Sequence, residues 1–286
     1  MVTETTLRQL ELGDLQAAMS LSQEAGWNQV PEDWKIFLDL GEGYGLFDST
    51  EELVATICLL PYPPRIAWLS MLVVRDSWRR RGLGTRLFKH SLRLLEERGI
   101  IPLLDATPLG RPLYLPLGFR DLWSFQRYMA AQPLAATEEA APEVTVRPLE
   151  PRDLDEVIAL DAAAFGARRD ALLRHLLGRY ADVALVAVGP GGLRGSLLGR
   201  NGRMANHLGP LTAADPATAI ALLHAALERA PGPLQVDVPD AQTPLRDYLL
   251  RRGFEPRRSF TRMIRGDAAP PGDARLLYAV AGGELG

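Results

Sequence analysis

The sequence predicts an α/β fold built twice: two tandem domains, each a mostly antiparallel, twisted mixed sheet flanked by helices. Three observations carry this. The chain has 286 residues, which suits two domains at about 150 residues each. The stretch "MAAQPLAATEEAAPEV", Met129 to Val144, has neither strand nor helix periodicity and separates two well-patterned halves. Those halves also resemble each other. "LRQLELGDL" from Leu7 matches "VRPLEPRDL" from Val146, pairing Arg8 with Arg147, Leu10 with Leu149, Glu11 with Glu150, Asp14 with Asp153 and Leu15 with Leu154. Toward the ends, Gly118, Phe119, Ser124, Phe125 and Arg127 recur as Gly253, Phe254, Ser259, Phe260 and Arg262. Both matches fall at nearly one offset, as a duplicated domain requires. Residues 1–130 are therefore assigned to a first domain, 131–143 to a linker and 144–286 to a second domain.

In the first half a short strand carrying "LRQL" leads through Gly-Asp into a helix with Leu15, Met19 and Leu21 on its apolar side. Two apolar runs, "YGLFD" and "ELVATICLLPY", flank a polar Asp-Ser-Thr-Glu-Glu turn and read as a hairpin. "AWLSMLVV" is the next strand. A helix from about Gly82 to Arg98, with Leu83, Leu87, Leu94 and Leu95 at helical spacing, is closed by Gly99. "IIPLLDAT" is a buried strand, "RPLYLPLGF" a short helix and turn, and "WSFQRYM" a final strand.

Composition narrows the function classes. The formal net charge is -3, so no global field draws the chain to nucleic acid or to an anionic membrane. The single cysteine, Cys58, lies in an apolar run, which excludes an internal disulfide and a cysteine metal cluster. The four histidines, His90, His175, His207 and His224, show no metal-ligand spacing, and no metal is expected. No basic start with a long apolar run is present, and no segment approaches about 18 uninterrupted apolar residues. A cytoplasmic protein is expected.

The most informative stretch is "WRRRGLGTRL", Trp78 to Leu87, where an apolar strand passes into the amphipathic helix. A helix start leaves about four backbone amides without intrahelical partners and carries partial positive charge, so it binds phosphate without help from side chains. Glycine lets the backbone approach the anion closely. The stretch is not a P-loop and lacks the third glycine of a dinucleotide fingerprint. It fits Arg-x-x-Gly-x-Gly, Arg79 to Gly84, after Val73-Val74.

This pattern, followed about thirty residues later by "LYLPLGF", resembles the GNAT superfamily of N-acetyltransferases, and the tandem arrangement with "HLGPL" in the second half resembles a two-domain bacterial branch of it. The resemblance implies acetyl-CoA as co-substrate and a primary amine, on a small molecule or peptide, as acceptor. The backbone of Leu72, Val73 and Val74 would pair with the pantetheine arm, and the amide of Val74 would polarise the thioester carbonyl. The amides of Arg80, Arg81, Gly82, Leu83, Gly84 and Thr85 would hold the pyrophosphate, with Arg79 and Arg81 adding charge; the alternative for these arginines is a solvated helix start. Tyr114 would be the general acid, against the alternative of a core aromatic. Where the family often has asparagine seven residues before this tyrosine and alanine four before it, this chain has Thr107 and Gly110. Thr107 would contact the cofactor arm. On the acceptor side Asp105 is the candidate general base, against a structural role at the strand end, and Trp27, in "EAGWNQVPEDW", is a candidate acceptor contact, against an aromatic packed between helices.

In the second half the loop gives way to "LGPLTAADPATAIALL". Helix alignment sets Pro216 near Arg79, Ala219 near Gly82 and Ala221 near Gly84, while Tyr114 corresponds to Leu249 or Tyr248. Its glycines and arginines are gone and Asp215 brings negative charge, so this copy is expected to lack the cofactor site. The expected function is acyl transfer by the first domain, as a monomer or homodimer with no nucleic acid or membrane partner. An acyl-CoA-binding sensor without turnover is the alternative.

Overall fold

A computed structural model describes residues 4–135 and 143–286, so positions 136–142 of the expected linker at 131–143 lie outside the described residues. The chain divides into two compact units, Met1–Leu104 and Asp105–Gly286. As the sequence predicts, the architecture is α/β.

The first unit begins with β1 (Thr6–Gln9), followed by α1 (Leu15–Glu24), α2 (Pro31–Leu40), β2 (Glu42–Phe47), β3 (Leu53–Tyr62), β4 (Ile66–Val74) and α3 (Leu83–Glu97); it ends within β5 (Ile101–Ala106). Its strands run in the order β1-β2-β3-β4-β5, antiparallel except for the parallel pair β4 and β5. Residues shared by the two repeats explain the entry to α1. Arg8 donates two hydrogen bonds to Asp14, both 2.8 Å, and Asp14 also accepts the Glu11 amide at 2.8 Å. The hairpin turn is closed by Asp48 Oδ1, which accepts the amides of Thr50 and Glu52 at 2.8 and 3.0 Å. Helix α2, which the periodicity does not announce, starts on Pro31, with Asp33 taking the Val30 amide at 3.0 Å. Leu87, Phe88, Ser91, Leu92 and Leu95 form the buried face of α3, and Gly99 terminates it at φ 64°.

The second unit contains α4 (Arg111–Tyr114), β6 (Phe119–Ala130), β7 (Thr145–Pro148), α5 (Leu154–Phe165), α6 (Asp170–Leu177), β8 (Leu185–Gly189), β9 (Gly192–Arg200), β10 (Asn206–Ala213), α7 (Pro216–Leu227), β11 (Leu234–Pro239), α8 (Thr243–Arg251), β12 (Glu255–Arg265) and β13 (Leu277–Ala279). Its sheet runs β12-β6-β11-β10-β9-β8-β7, with β13 added to β10. Among the described residues of this unit only β10 and β11 pair in parallel. The Arg–Asp lock recurs here: Arg147 grips Asp153 at 2.6 and 2.7 Å, and Asp153 accepts the Glu150 amide at 2.8 Å. Strand β6, which closes the first sequence repeat, lies between β11 and β12. Phe125 faces its repeat counterpart Phe260 across the β6–β12 ladder, with rings stacked 4.9 Å apart. Among the described residues no helix is long and apolar enough to cross a membrane.

Candidate functional site

In the first unit the site begins with a defect in the sheet. β4 pairs β5 only from Ile66 to Trp68, then diverges. Its register with β3 jumps between Cys58↔Ser70 and Thr56↔Val73, a bulge containing Met71 at φ 52°. A non-glycine residue in this region costs about 1–2 kcal/mol. Thr56 helps hold it there by donating its hydroxyl to Met71 O at 2.9 Å. Ser70 Oγ is buried at the splay with no hydrogen-bond partner among the described residues. Neither Met71 nor Ser70 was expected as part of the site, because an internal bulge leaves no trace in an apolar run. Beyond it lie Leu72, Val73 and Val74, the predicted arm-pairing residues, with Val73 buried and its two neighbours half-buried.

The loop after Val74 is tied down on its own side. Arg75 pairs with Glu52 and lies 3.7 Å from Glu24, and Glu24 also accepts the Asp76 amide at 2.9 Å. This fixes the loop to the end of α1, three residues before the half-buried Trp27. Arg79 pairs with Asp76 at 2.6 Å and donates to Val74 O at 3.1 Å. Arg81 donates to Ser77 O at 3.0 Å and stacks over Trp78 at 4.8 Å. Arg80 is exposed, with φ 60°. The side chains of Arg79 and Arg81 thus serve the loop, while the helix start stays open. Gly82, at φ 77°, is the N-cap of α3 and no side chain caps it. The first amide drawn into the helix is that of Arg86, bonded to Gly82 O at 2.9 Å, so the amides of Leu83, Gly84 and Thr85 precede the ladder. A Cβ at Gly84 would meet Val74 and Leu72 at 3.5 and 4.0 Å, which sets the helix start against the free end of β4. The predicted arm-pairing and phosphate residues are therefore brought together.

Asp105, Thr107 and Tyr114 belong to the second unit. Thr107 Oγ1 accepts the Gly110 amide at 3.1 Å and shapes the turn into α4. Tyr114 packs 6.0 Å from Phe119, and burial pushes its hydroxyl pKa up to about 12. Both oxygens of Asp105 are taken by Arg262, at 3.0 and 2.9 Å, with the carboxylate fully enclosed. Burial pushes Asp105 up to about 6 against the opposing pull of Arg262. Arg127, the repeat counterpart of Arg262, holds the equally enclosed Asp237 at 2.7 Å on both oxygens.

At the start of α7 the second unit differs. The N-cap is Asp215, whose side chain accepts from the Thr218 amide at 2.9 Å and pairs with Arg194 at 3.1 Å. Helix starts thus pair Asp215 with Gly82, which corrects the sequence alignment of Ala219 with Gly82 by four positions: the loop, not the helix, absorbs the length difference. Tyr248, one of the two counterparts of Tyr114, is fully buried and accepts a hydrogen bond from Arg252 at 2.5 Å. Among the described residues no group of three or more His, Cys, Asp or Glu is placed to hold a metal ion.

Comparison with known proteins gives two matches along the chain. Residues 10–119 match the acetyltransferase (GNAT) family, and residues 157–279 match an acetyltransferase (GNAT) domain. The uncharacterised N-acetyltransferase YitH of Bacillus subtilis is 26% identical over 82% of this chain and 83% of its own. A holothin acyltransferase of a Pseudoalteromonas species is 27% identical over 91% of this chain and 87% of its own. A solved candidate acetyltransferase from Pyrococcus horikoshii shares the fold at a TM-score of 0.82, with 21% identity over 99% of this chain and 96% of that one.

Proposed function

The chain belongs to the GNAT superfamily of acetyltransferases, with one such domain in each half, and on that premise we propose that it moves an acetyl group from acetyl-CoA to a primary amine through the first domain. The observation that carries this reading is the uncapped start of α3 against the free end of β4. Acetyl-CoA would supply the thioester. The amides of residues 80–85 would take its pyrophosphate, Leu72 to Val74 would pair with its arm, and the unpartnered Ser70 hydroxyl at the splay suits a ligand with amide groups. Thr107, whose hydroxyl proton is not used in the Gly110 contact, would add one more bond to the arm.

In the reaction the C–N bond forms as a neutral amine attacks the carbonyl, and the C–S bond breaks. Tyr114 gives its proton to the departing sulfur and recovers one, through water, from the acylated nitrogen. A hydroxyl whose pKa stands at about 12 stays protonated at neutral pH, as this donor must. Trp27 is proposed as an acceptor contact. For Asp105 the same role carries a condition: Arg262 must release one of its oxygens. The acceptor is a small-molecule or peptide amine, and the protein works in the cytoplasm as a monomer or homodimer, without nucleic acid or membrane.

The test mixes the protein with acetyl-CoA and a broad panel of amines and follows free thiol. Amine-dependent thiol release is expected. Tight binding of acetyl-CoA with no turnover across the panel would reject the enzyme in favour of a sensor.

A further inference from the structure

In the second unit the strand edge that β4 offers to a ligand is already occupied by the chain itself. The two strands are matched by their bulges. β4 pairs β3 as Ser70↔Cys58 and resumes at Val73↔Thr56 and Val74↔Ala55. β10 pairs β9 as Leu208↔Gly199 and resumes at Leu211↔Leu197 and Thr212↔Ser196. Val73 therefore answers to Leu211, and Val74 to Thr212. β10 meets β11 only at Asn206 and His207 and then parts from it, as β4 parts from β5 after Trp68. Beyond that point β13 runs antiparallel to β10, with Ala279 opposite Leu211 and Leu277 opposite Thr212. Among the described strands β4 has β3 and β5 as neighbours and nothing in this place.

The segment is held from both sides of the cleft. The Val280 amide donates to Asp237 O on β11 at 3.0 Å. Val280 O accepts from His207 Nε2 on β10 at 3.0 Å, and the other ring nitrogen of His207 faces Gln235 at 3.1 Å. Gly209 makes the approach possible, since a Cβ there would lie 2.2 Å from Val280 O. Further along, Glu284 pairs with Arg200, and Arg169, itself locked to Asp161, donates to Gly286 O at 2.7 Å. Leu277 to Ala281 are exposed by no more than 3%. At the neighbouring helix start Asp215 already fills the place a phosphate would need.

We propose that the second unit has exchanged its cofactor slot for a peptide slot, and that the peptide is the extended, buried segment Leu277–Val280 of the same chain. This rests on reading the β4 edge as the cofactor-pairing strand. Strand addition works through backbone amides and carbonyls, the same groups an amide-bearing arm would use, so one edge serves either ligand but not both. The chain then takes one acyl-CoA, in its first unit.

The test compares the full chain with a chain stopped after Asp273, using hydrogen exchange at residues 207–213 and a synthetic peptide of residues 274–286. Stopping the chain speeds exchange there about thirtyfold, the factor for two lost strand hydrogen bonds. Added peptide restores protection in a saturable way. Val280→Pro in the full chain removes the amide that reaches Asp237 and speeds the same exchange, which covers a shortened chain that fails to fold. Unchanged exchange in a folded variant overturns the proposal. So does calorimetry giving two equivalents of coenzyme A for the full chain, where one is expected. Absence of any coenzyme A binding overturns the reading of the first unit instead, and the exchange result still decides the second.

Discussion

Replacing Gly84 with alanine puts one methyl group at the second position of α3, where an empty site tolerates it and an occupied one does not. Its nearest neighbours would be Val74 and Leu72, at 3.5 and 4.0 Å, ordinary contact distances. Gly84 is absent from the residues with positive φ, so no left-handed backbone is forced on the alanine. In a helix alanine is favoured over glycine by up to about 1 kcal/mol, so the variant should be as stable as the parent or melt about 2–4 °C higher. The same methyl group stands where, on the proposed reading, the backbone would approach pyrophosphate. Losing one charge-assisted bond costs about 1.5–3 kcal/mol, which weakens acetyl-CoA binding roughly 10- to 150-fold. Thermal unfolding and calorimetric titration read the two effects separately. Affinity preserved with unchanged stability would refute the placement of the pyrophosphate at α3. Parallel loss of stability and affinity would show that Gly84 matters to the fold and not to the ligand.

Two further outcomes follow from the same geometry. Tyr114→Phe keeps the packing against Phe119 and removes the proton donor, so kcat should fall by about a hundredfold or more while the dissociation constant for acetyl-CoA stays near its parent value; equal losses in both would make Tyr114 structural. Glu284 is pushed up by burial, but Arg200, Arg127 and His207 outweigh this and bring it from 4.5 to about 2. A carboxyl depressed in the folded state stabilises above its unfolded pKa and loses that contribution as pH falls through the folded value, so about 3 kcal/mol should disappear between pH 4.5 and 2. Asp105, raised from 3.8 to about 6, acts in the opposite sense, its contribution fading as pH rises between those values. The difference between parent and Glu284→Gln stability curves isolates Glu284, and parallel curves below pH 4.5 would count against the pairing.

What could be read from the sequence was local. Gly99 as a helix stop and the polar turn at Asp48 depend on residues within a few positions of one another, whereas Arg8, Asp14, Arg147 and Asp153 stand out in the sequence as repeat matches and only the structure shows them as locks. The start of α3 could be read for the same reason, because strand, glycines and helix are contiguous. The rest required distance. Arg262 reaches Asp105 across 157 positions, and no spacing rule links them. The bulge at Met71 interrupts an apolar run with an ordinary apolar residue. β13 is three residues long, too short for an alternation to register, and its partner strand is named only by the fold.

The place of β6 bears on how such a protein can change over generations. A recombination joint in the 131–143 stretch would look harmless, since it falls between the two copies of the duplicated sequence. It would nonetheless separate β6 from β11 and β12, the strands it lies between, and leave both with bare edges, which invite aggregation. The two halves, once joined, are no longer interchangeable parts. Each can drift in its loops, but an exchange of whole halves between related genes would have to bring a β6 matched to the new β11 and β12, Phe125 to Phe260 and Arg127 to Asp237 included.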